Sequence, residues 1–377
     1  MRQRTQPAVP ASQAMADATL ATHDADRMQA SAAEWAPPAG CVVQYSAYNR
    51  EVQPAEPVIA FARSCGATDA LMLETAHANI YRLSGALMRN AVRVWAVPNI
   101  EMVRRTELPL YHSFTGVLCH NAYSISVLRY LRPSLEPRLL PFALPTNEPN
   151  GVVVHRAAPY DGYGPIRFLL VGGLNAVRRK HAVQVVQAFA SAFRGAESAT
   201  LTVLSQQSEP QLAAAARTAH SVRIVEQHQT YQGILAEYGR HHVVLMLGRA
   251  EGIGIGTHEA LRAGCAIVTF DHTMYKELVN PAINGWLLPA HDEAVTVGAK
   301  LLGNTDAVVR TCTLRVPELA RLFREIVSDW PSVARKQQAA AESFRLLFEP
   351  GRVLRAWRAA LDPTDDLTDD PTNVVAG

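Results

Sequence analysis

Glu251 and Glu259 stand eight positions apart and flank alternating glycines in the run AEGIGIGTHEALRAG, which comes just after the apolar segment HHVVLML. A strand, a tight glycine turn and a helix start in that order turn backbone N–H groups toward an anion. The carboxylates at either end offer acceptors for sugar hydroxyls. A second group of residues is basic. Arg178, Arg179 and Lys180 follow the apolar run FLLVGG, where a guanidinium can fork onto phosphate oxygens and an ammonium can act as a point charge.

The elements that must position these residues are apolar runs alternating with helical patterns. CVVQYSA, ALMLE, VRVWAVP, GVLCHN and RLLPFAL read as buried parallel strands, with helical spacing over Pro57–Cys65, Ile80–Arg89 and Ala122–Leu131. Further on, IRFLLVGG, TLTVLSQ, VRIVEQ, HHVVLML, CAIVTFD and GWLLPA repeat the pattern. A helix over Lys180–Phe193 places Val186, Phe189 and Phe193 on one face. Strand and helix in alternation predict an α/β fold of two doubly wound Rossmann-like domains. The expected divisions are a mobile arm over 1–38 with one short helix around Ala16–Trp35, a short first domain over 39–150, a second domain over 151–345, and a C-terminal helix with an acidic, disordered tail over 346–377. The proline- and glycine-rich Pro145–Pro165 is the expected linker. Ligands of such sheets bind beyond the carboxyl ends of strands, so the fold predicts a cleft between the domains.

The glycine run admits a dinucleotide-binding reading, with Asp271 as the acid that would meet a ribose. That fingerprint needs Gly or Ala three places after its second glycine. The position is Thr257 counting from Gly252, and Glu259 counting from Gly254, a poor fit against a strand. A turn that only joins strand to helix is the plainer reading. Four motifs taken together point elsewhere. Glu251-Gly252-Ile253-Gly254-Ile255-Gly256-Thr257-His258-Glu259-Ala260 followed by LRAGCAIVTFD, DHTMYKELV with Asp271 and Glu277, INGWLLPAHD, and FLLVGGLNAVRRKHAVQVVQAF stand in order along the chain. The region carrying them resembles the donor domain of the retaining family 4 glycosyltransferases, which have the GT-B architecture.

The resemblance implies transfer of a sugar from a nucleotide diphosphate sugar with retention of anomeric configuration, without a metal ion or other cofactor. It places Arg179 and Lys180 on the phosphates, with Gly173 and Arg178 at the same corner. The amides of Gly254, Ile255, Gly256 and Thr257 would add oriented dipoles at a helix start. Glu259, expected in the first helical turn, would accept from the ribose, and Glu251 would hold the transferred sugar beside Gly252 and Ile253. Alternatives stay open for several residues: an ordinary helix start for the basic run, a macrodipole-favoured carboxylate for Glu259, and turn caps for Asp271 and Glu277. This chain departs from the family in having Gly173 where many members have Arg, and Gly256 where a proline is usual. Its first domain is short and has no glycine-rich first loop. Asn99, Glu101, His120 and Asn121, just beyond apolar strands, are candidates for the acceptor side, as is His77 in LETAHANIY. A lone histidine there is more often a hydrogen-bonded structural residue.

Composition bounds the rest. A hydrophobic content of 48%, 19% charged residues and a net charge of +2 describe a globular chain and give no footing for nucleic acid. Lysine is confined to Lys180, Lys276, Lys300 and Lys336, and the abundance of arginine and alanine suggests a GC-rich bacterial source. Cys41, Cys65, Cys119, Cys265 and Cys312 have neither zinc spacing nor an even count, which predicts reduced thiols in the cytoplasm. The D-x-D at Asp24–Asp26 lies in the polar arm, and a metal site there is not expected. No apolar run reaches the roughly 20 residues of a membrane span, though peripheral membrane association is compatible with the chain. The acceptor could be a saccharide, a lipid-linked glycan or a small molecule. A catalytically idle nucleotide-sugar sensor or scaffold, which the unusual first domain motivates, is the competing expectation.

Overall fold

The computed structural model describes residues 41–44, 59–60, 62–63, 66–73, 78–103, 105–142, 144, 154–173, 176–195, 197–217, 219–293 and 311–361. The arm over 1–38, His77 and the tail beyond 361 lie outside them. The first sheet holds β1 (Cys41–Gln44), β2 (Asp69–Leu73), β3 (Arg93–Val97), β4 (Gly116–Cys119) and β5 (Arg138–Leu139) in that spatial order, each parallel to its neighbour. Helix α1 (Ala78–Met88) joins β2 to β3, and α2 (Ala122–Leu131) follows β4. Pro141 bounds β5 soon after its start, since an imino acid has no N–H for a ladder. Two short 3-10 turns, Ile100–Met102 and Leu108–Ser113, lie between β3 and β4.

The second sheet has strand order β11-β10-β9-β6-β7-β8, also parallel throughout. Its strands are β6 (Ile166–Gly173), β7 (Ala199–Ser205), β8 (Val222–Glu226), β9 (Val243–Met246), β10 (Ala266–Phe270) and β11 (Gly285–Leu288). Every residue of β10 is buried, as expected of a strand with helices on both faces, whereas the edge strand β8 has none buried. The helices between are α3 (Ala176–Arg179), α4 (Ala182–Ala192), α5 (Pro210–Ala216), α6 (Tyr231–Arg240), α7 (Ile255–Arg262) and α8 (Thr273–Lys276). The order reverses at β6, whose neighbours are β7 and β9, so the crevice of this sheet opens beyond the carboxyl ends of β6 and β9.

A short antiparallel pair, β12 (His291–Glu293) and β13 (Thr311–Thr313), leads into α9 (Val316–Ser328), α10 (Trp330–Leu347) and α11 (Pro350–Leu361). Phe168 of β6, Phe189 of α4 and Phe323 of α9 stack edge-on at centroid distances of 5.0–6.2 Å and centre one core. Helix α11 returns to the first sheet. Trp357 Nε1 donates to Pro141 O at 2.9 Å and Arg138 Nη1 to Ala360 O at 3.2 Å, while Ala360 and Leu361 pack with Leu71, Trp95, Leu118 and Leu140. The chain therefore passes between the sheets twice, and both passages touch one imidazole. His258 of α7 meets Phe142 on one side and Phe348 on the other, at 5.1 and 4.9 Å. Burial holds the His258 ring neutral, its pKa pushed down to about 4. Cys119, Cys265 and Cys312 are buried and in no disulfide among the described residues, and no helix among the described residues is long and apolar enough to cross a membrane.

Candidate functional site

The basic corner is built by a break in the chain. Lys180 N closes the short helix α3 on Ala176 O, and His181 then adopts φ 54°, a left-handed conformation that ends one helix and starts the next. Arg178, Arg179 and Lys180 thus end α3, and the helix expected over Lys180–Phe193 begins only at Ala182. The sequence pattern missed this because a single left-handed residue does not alter apolar spacing. The corner is tied to the next strand's loop: Arg249 N donates to Arg179 O at 2.8 Å, and His181 Nδ1 lies 2.8 Å from Leu247 O.

Glu251 reaches this corner directly. Lys180 Nζ lies 2.6 Å from Glu251 Oε2, with both side chains less than a fifth exposed. Burial pushes the Glu251 carboxyl up, but the Lys180 ammonium, the Arg179 guanidinium and a backbone hydrogen bond at Gly254 together bring it below the usual range, so it is ionised. From the opposite sheet Glu101 enters the same cluster. Arg179 Nη2 donates to Glu101 Oε2 at 3.1 Å. Burial and the neighbouring Glu251 carboxylate push Glu101 up to about 7, against the pull of Arg179 and Lys180. Two carboxylates and two cations therefore face one another across the domains.

Gly254 takes φ +75° and caps α7, so the helix begins at Ile255. Glu259 is its fifth residue, in the second turn and not in the first as the sequence suggested, which removes most of any macrodipole stabilisation. Glu259 is 1% exposed, and Tyr238 Oη donates to its Oε2 at 3.3 Å. At the helix start Thr257 is fully buried and its Oγ1 has no hydrogen-bond partner among the described residues. Gly173 ends β6 with φ +62° and open space where a Cβ would stand; Arg178 is exposed.

The first sheet grips the Glu251 loop through two asparagines. Asn121 caps α2 by accepting from Ser124 N at 2.8 Å and donates its Nδ2 to Gly252 O at 2.7 Å. Asn99 accepts from Glu101 N, and its Oδ1 stands 2.0 Å from where a Cβ on Gly252 would be. Asn99, Glu101 and Asn121 thus converge with Glu251 and Gly252. His120 does not join them: its Nδ1 lies 2.9 Å from Leu140 O, its ring stacks on Phe142, and burial lowers its pKa. It stands at the linker side of the interface as a packing residue.

Glu277 takes a role that its position in the sequence only half suggested. Its two oxygens accept from Ala122 N and Tyr123 N, each at 3.0 Å, so it caps a helix of the other domain, 155 residues away. The His272 ring packs on Tyr123 alongside. Glu277→Ala is expected to cost roughly 1–2 kcal/mol of stability and to speed hydrogen exchange at the Ala122 and Tyr123 amides. Unchanged exchange there would remove the cross-domain cap. Asp271, by contrast, forms an exposed pair with Lys276 at 2.5 Å.

Tyr275 carried no sequence signal, since in DHTMYKELV it reads as one more apolar-face residue. Its hydroxyl lies 3.2 Å, and Lys180 Nζ 3.1 Å, from the point that a Cβ on Gly248 would occupy. The residue is 2% exposed; burial, with Glu251, Cys312 and Glu101 adding, raises its pKa well above the usual value. The phenol stays protonated beside the cluster. No three His, Cys, Asp or Glu side chains gather to hold a metal ion among the described residues.

Residues 165–302 match the family model described as glycosyl transferases group 1. That stretch contains β6 to β11, the basic corner and the Glu251–Glu259 loop. Among solved structures, the chain is similar to a glycosyltransferase from Rickettsia africae, at 12% identity and TM-score 0.58, covering 85% of this chain and 84% of that one. It is similar to a sucrose-phosphate synthase from Thermosynechococcus elongatus, at 15% identity and TM-score 0.56, covering 80% and 74%. Anabaena HepE, solved with UDP and glucose, matches at 12% identity and TM-score 0.56, covering 83% and 81%. A sequence search of curated proteins finds no match. At these identities the likeness is one of fold. Two Rossmann-like domains stand as in GT-B glycosyltransferases, and the second carries the match to the group 1 glycosyl transferases over residues 165–302.

Proposed function

We propose that the chain transfers a sugar from a nucleotide diphosphate sugar to an acceptor held against the first domain, with retention of configuration and without a metal ion. The observation that supports this most is the Lys180–Glu251 pair at the strand-order reversal of the second sheet, with Arg179 and the start of α7 around it. A leaving diphosphate gains charge as the glycosidic bond breaks, and cations already aimed at it lower that barrier. Arg179 and Lys180 are such cations. The buried Thr257 hydroxyl and the first amides of α7 are donors for phosphate oxygens. Glu251, kept ionised, accepts from hydroxyls of the transferred sugar, and Glu259 from the ribose. Asn99 and Asn121 hold the Glu251 loop against the first domain, which brings acceptor and donor together.

The test is incubation with a panel of nucleotide sugars, in the presence of EDTA, reading nucleotide release with and without candidate acceptors. Release at a rate above the uncatalysed one, with the α-anomeric donor giving an α-linked product, is the expected result. Tight donor binding with no turnover for any acceptor would favour the sensor or scaffold. In the same assay Glu259→Ala is expected to weaken nucleoside diphosphate binding about tenfold, the worth of a hydrogen bond to a charged group. Unchanged affinity, or an equal loss in Tyr238→Phe, would assign Glu259 to structure alone.

A further inference from the structure

Glu101 is the first domain's contribution to the charge cluster, and its surroundings conflict with a second anion. Its carboxylate occupies Arg179 Nη2 at 3.1 Å. Its Cγ lies 3.1 Å from where a Cβ on Gly252 would stand, so the loop backbone walls it in, and the residue is 6% exposed. The groups facing it are Arg179 and Lys180 from the end of α3, Glu251 from the loop before α7, and Tyr275 from α8. When both are ionised, the two carboxylates balance the two cations. A diphosphate entering this corner adds two negative charges and competes for the same guanidinium. In a water-poor site three anions cannot share two cations at ordinary cost.

We propose that Glu101 is a proton-linked placeholder: it holds Arg179 as a carboxylate in the empty protein and takes up one proton when the donor's diphosphate replaces it. The inference rests on the donor reading above. The proton comes from solvent, the Glu101–Arg179 ion pair breaks, and a neutral carboxylic acid remains beside the phosphate, able to donate a hydrogen bond to it. A Glu101 pKa of about 7 is consistent with this, because little further pressure is needed to neutralise the group near physiological pH. The sign follows from linkage. Below about pH 6 Glu101 is already protonated and binding takes up little. Above about pH 7 binding must add the proton, so affinity falls by up to about tenfold per pH unit.

The experiment is calorimetric binding of a nucleotide sugar, whose diphosphate keeps a constant charge from pH 6 to 9. UDP-glucose is the first probe, followed by the donor that the panel selects. Titrations in buffers of different ionisation enthalpy give the protons taken up. About one proton at pH 8 and close to none at pH 6 is expected for the wild type. Glu101→Gln should abolish the uptake and flatten the pH dependence, binding more tightly than wild type at pH 8. Binding without proton uptake, or uptake that persists in Glu101→Gln, overturns the inference while leaving the donor reading intact. Absence of binding by any nucleotide sugar at any pH overturns both. Should Glu101→Gln fail to fold, the wild-type buffer series decides the matter by itself.

Discussion

Lys180→Ala should lower kcat by roughly 10²–10³-fold while donor affinity falls much less. The asymmetry comes from where charge appears. In the proposed reading the ground-state diphosphate is shared among Arg179, the α7 amides and the ammonium; in the transition state an extra negative charge grows on the leaving oxygen, and a point charge gains most there. The substitution has a second consequence, because Glu251 stands 2.6 Å from Lys180 Nζ and is mostly buried. Removing one partner of such a pair leaves an uncompensated carboxylate and can cost about 3–5 kcal/mol of stability. The double variant Lys180→Ala/Glu251→Gln separates the two effects. It should regain most of the thermal stability and none of the turnover. If single-turnover rates hold while the donor Kd rises, Lys180 is a binding residue and its catalytic assignment falls.

Gly252→Ala is expected to reduce kcat/KM by about a hundredfold or more with the separate domains intact. A Cβ there would stand 2.0 Å from Asn99 Oδ1 and 3.1 Å from Asn99 Cγ and Glu101 Cγ. Asn99 cannot swing away without giving up its cap on Glu101 N, and the Asn121–Gly252 hydrogen bond holds the loop from the other side. The added methyl group therefore props the first domain off the Glu251 loop. Small-angle scattering should report a more open molecule, and far-UV circular dichroism should be unchanged. Asn99→Gly in the same chain removes the obstructing atoms and should recover part of the activity. Full activity in Gly252→Ala would mean that the contact of the two domains at this point is dispensable.

The strands were legible because fully buried parallel strands are short apolar runs bounded by turns. IRFLLVGG became β6 over its whole length, and the helical spacing of Ala122–Leu131 marked α2 to the residue. The charged residues of the second domain were legible as well, since Arg179, Lys180 and Glu251 each follow a strand of the same sheet. The pairing of those charges was not. Glu101 with Arg179, Asn121 with Gly252 and Glu277 with the Ala122 amide of α2 join residues 78, 131 and 155 positions apart. Nothing in local spacing encodes such contacts; they exist because two sheets meet. Tyr275 and His181 were hidden for a related reason. An aromatic residue on an apolar face and a histidine in a basic run have unremarkable local patterns, and only the third dimension shows what lies beside them.

The imidazole of His258 touches Phe142 and Phe348, one on each of the two segments that join the domains. A body joined to another by two neighbouring segments swings about the line through them, as a door does on paired hinges, and resists twisting across it. That axis runs beside α7, next to Thr257 and Glu259. Displacement grows with distance from the axis, and Gly252, two residues from the Gly254 carbonyl that stands 2.9 Å from His258 Nδ1, lies near the hinge with the Glu251 loop.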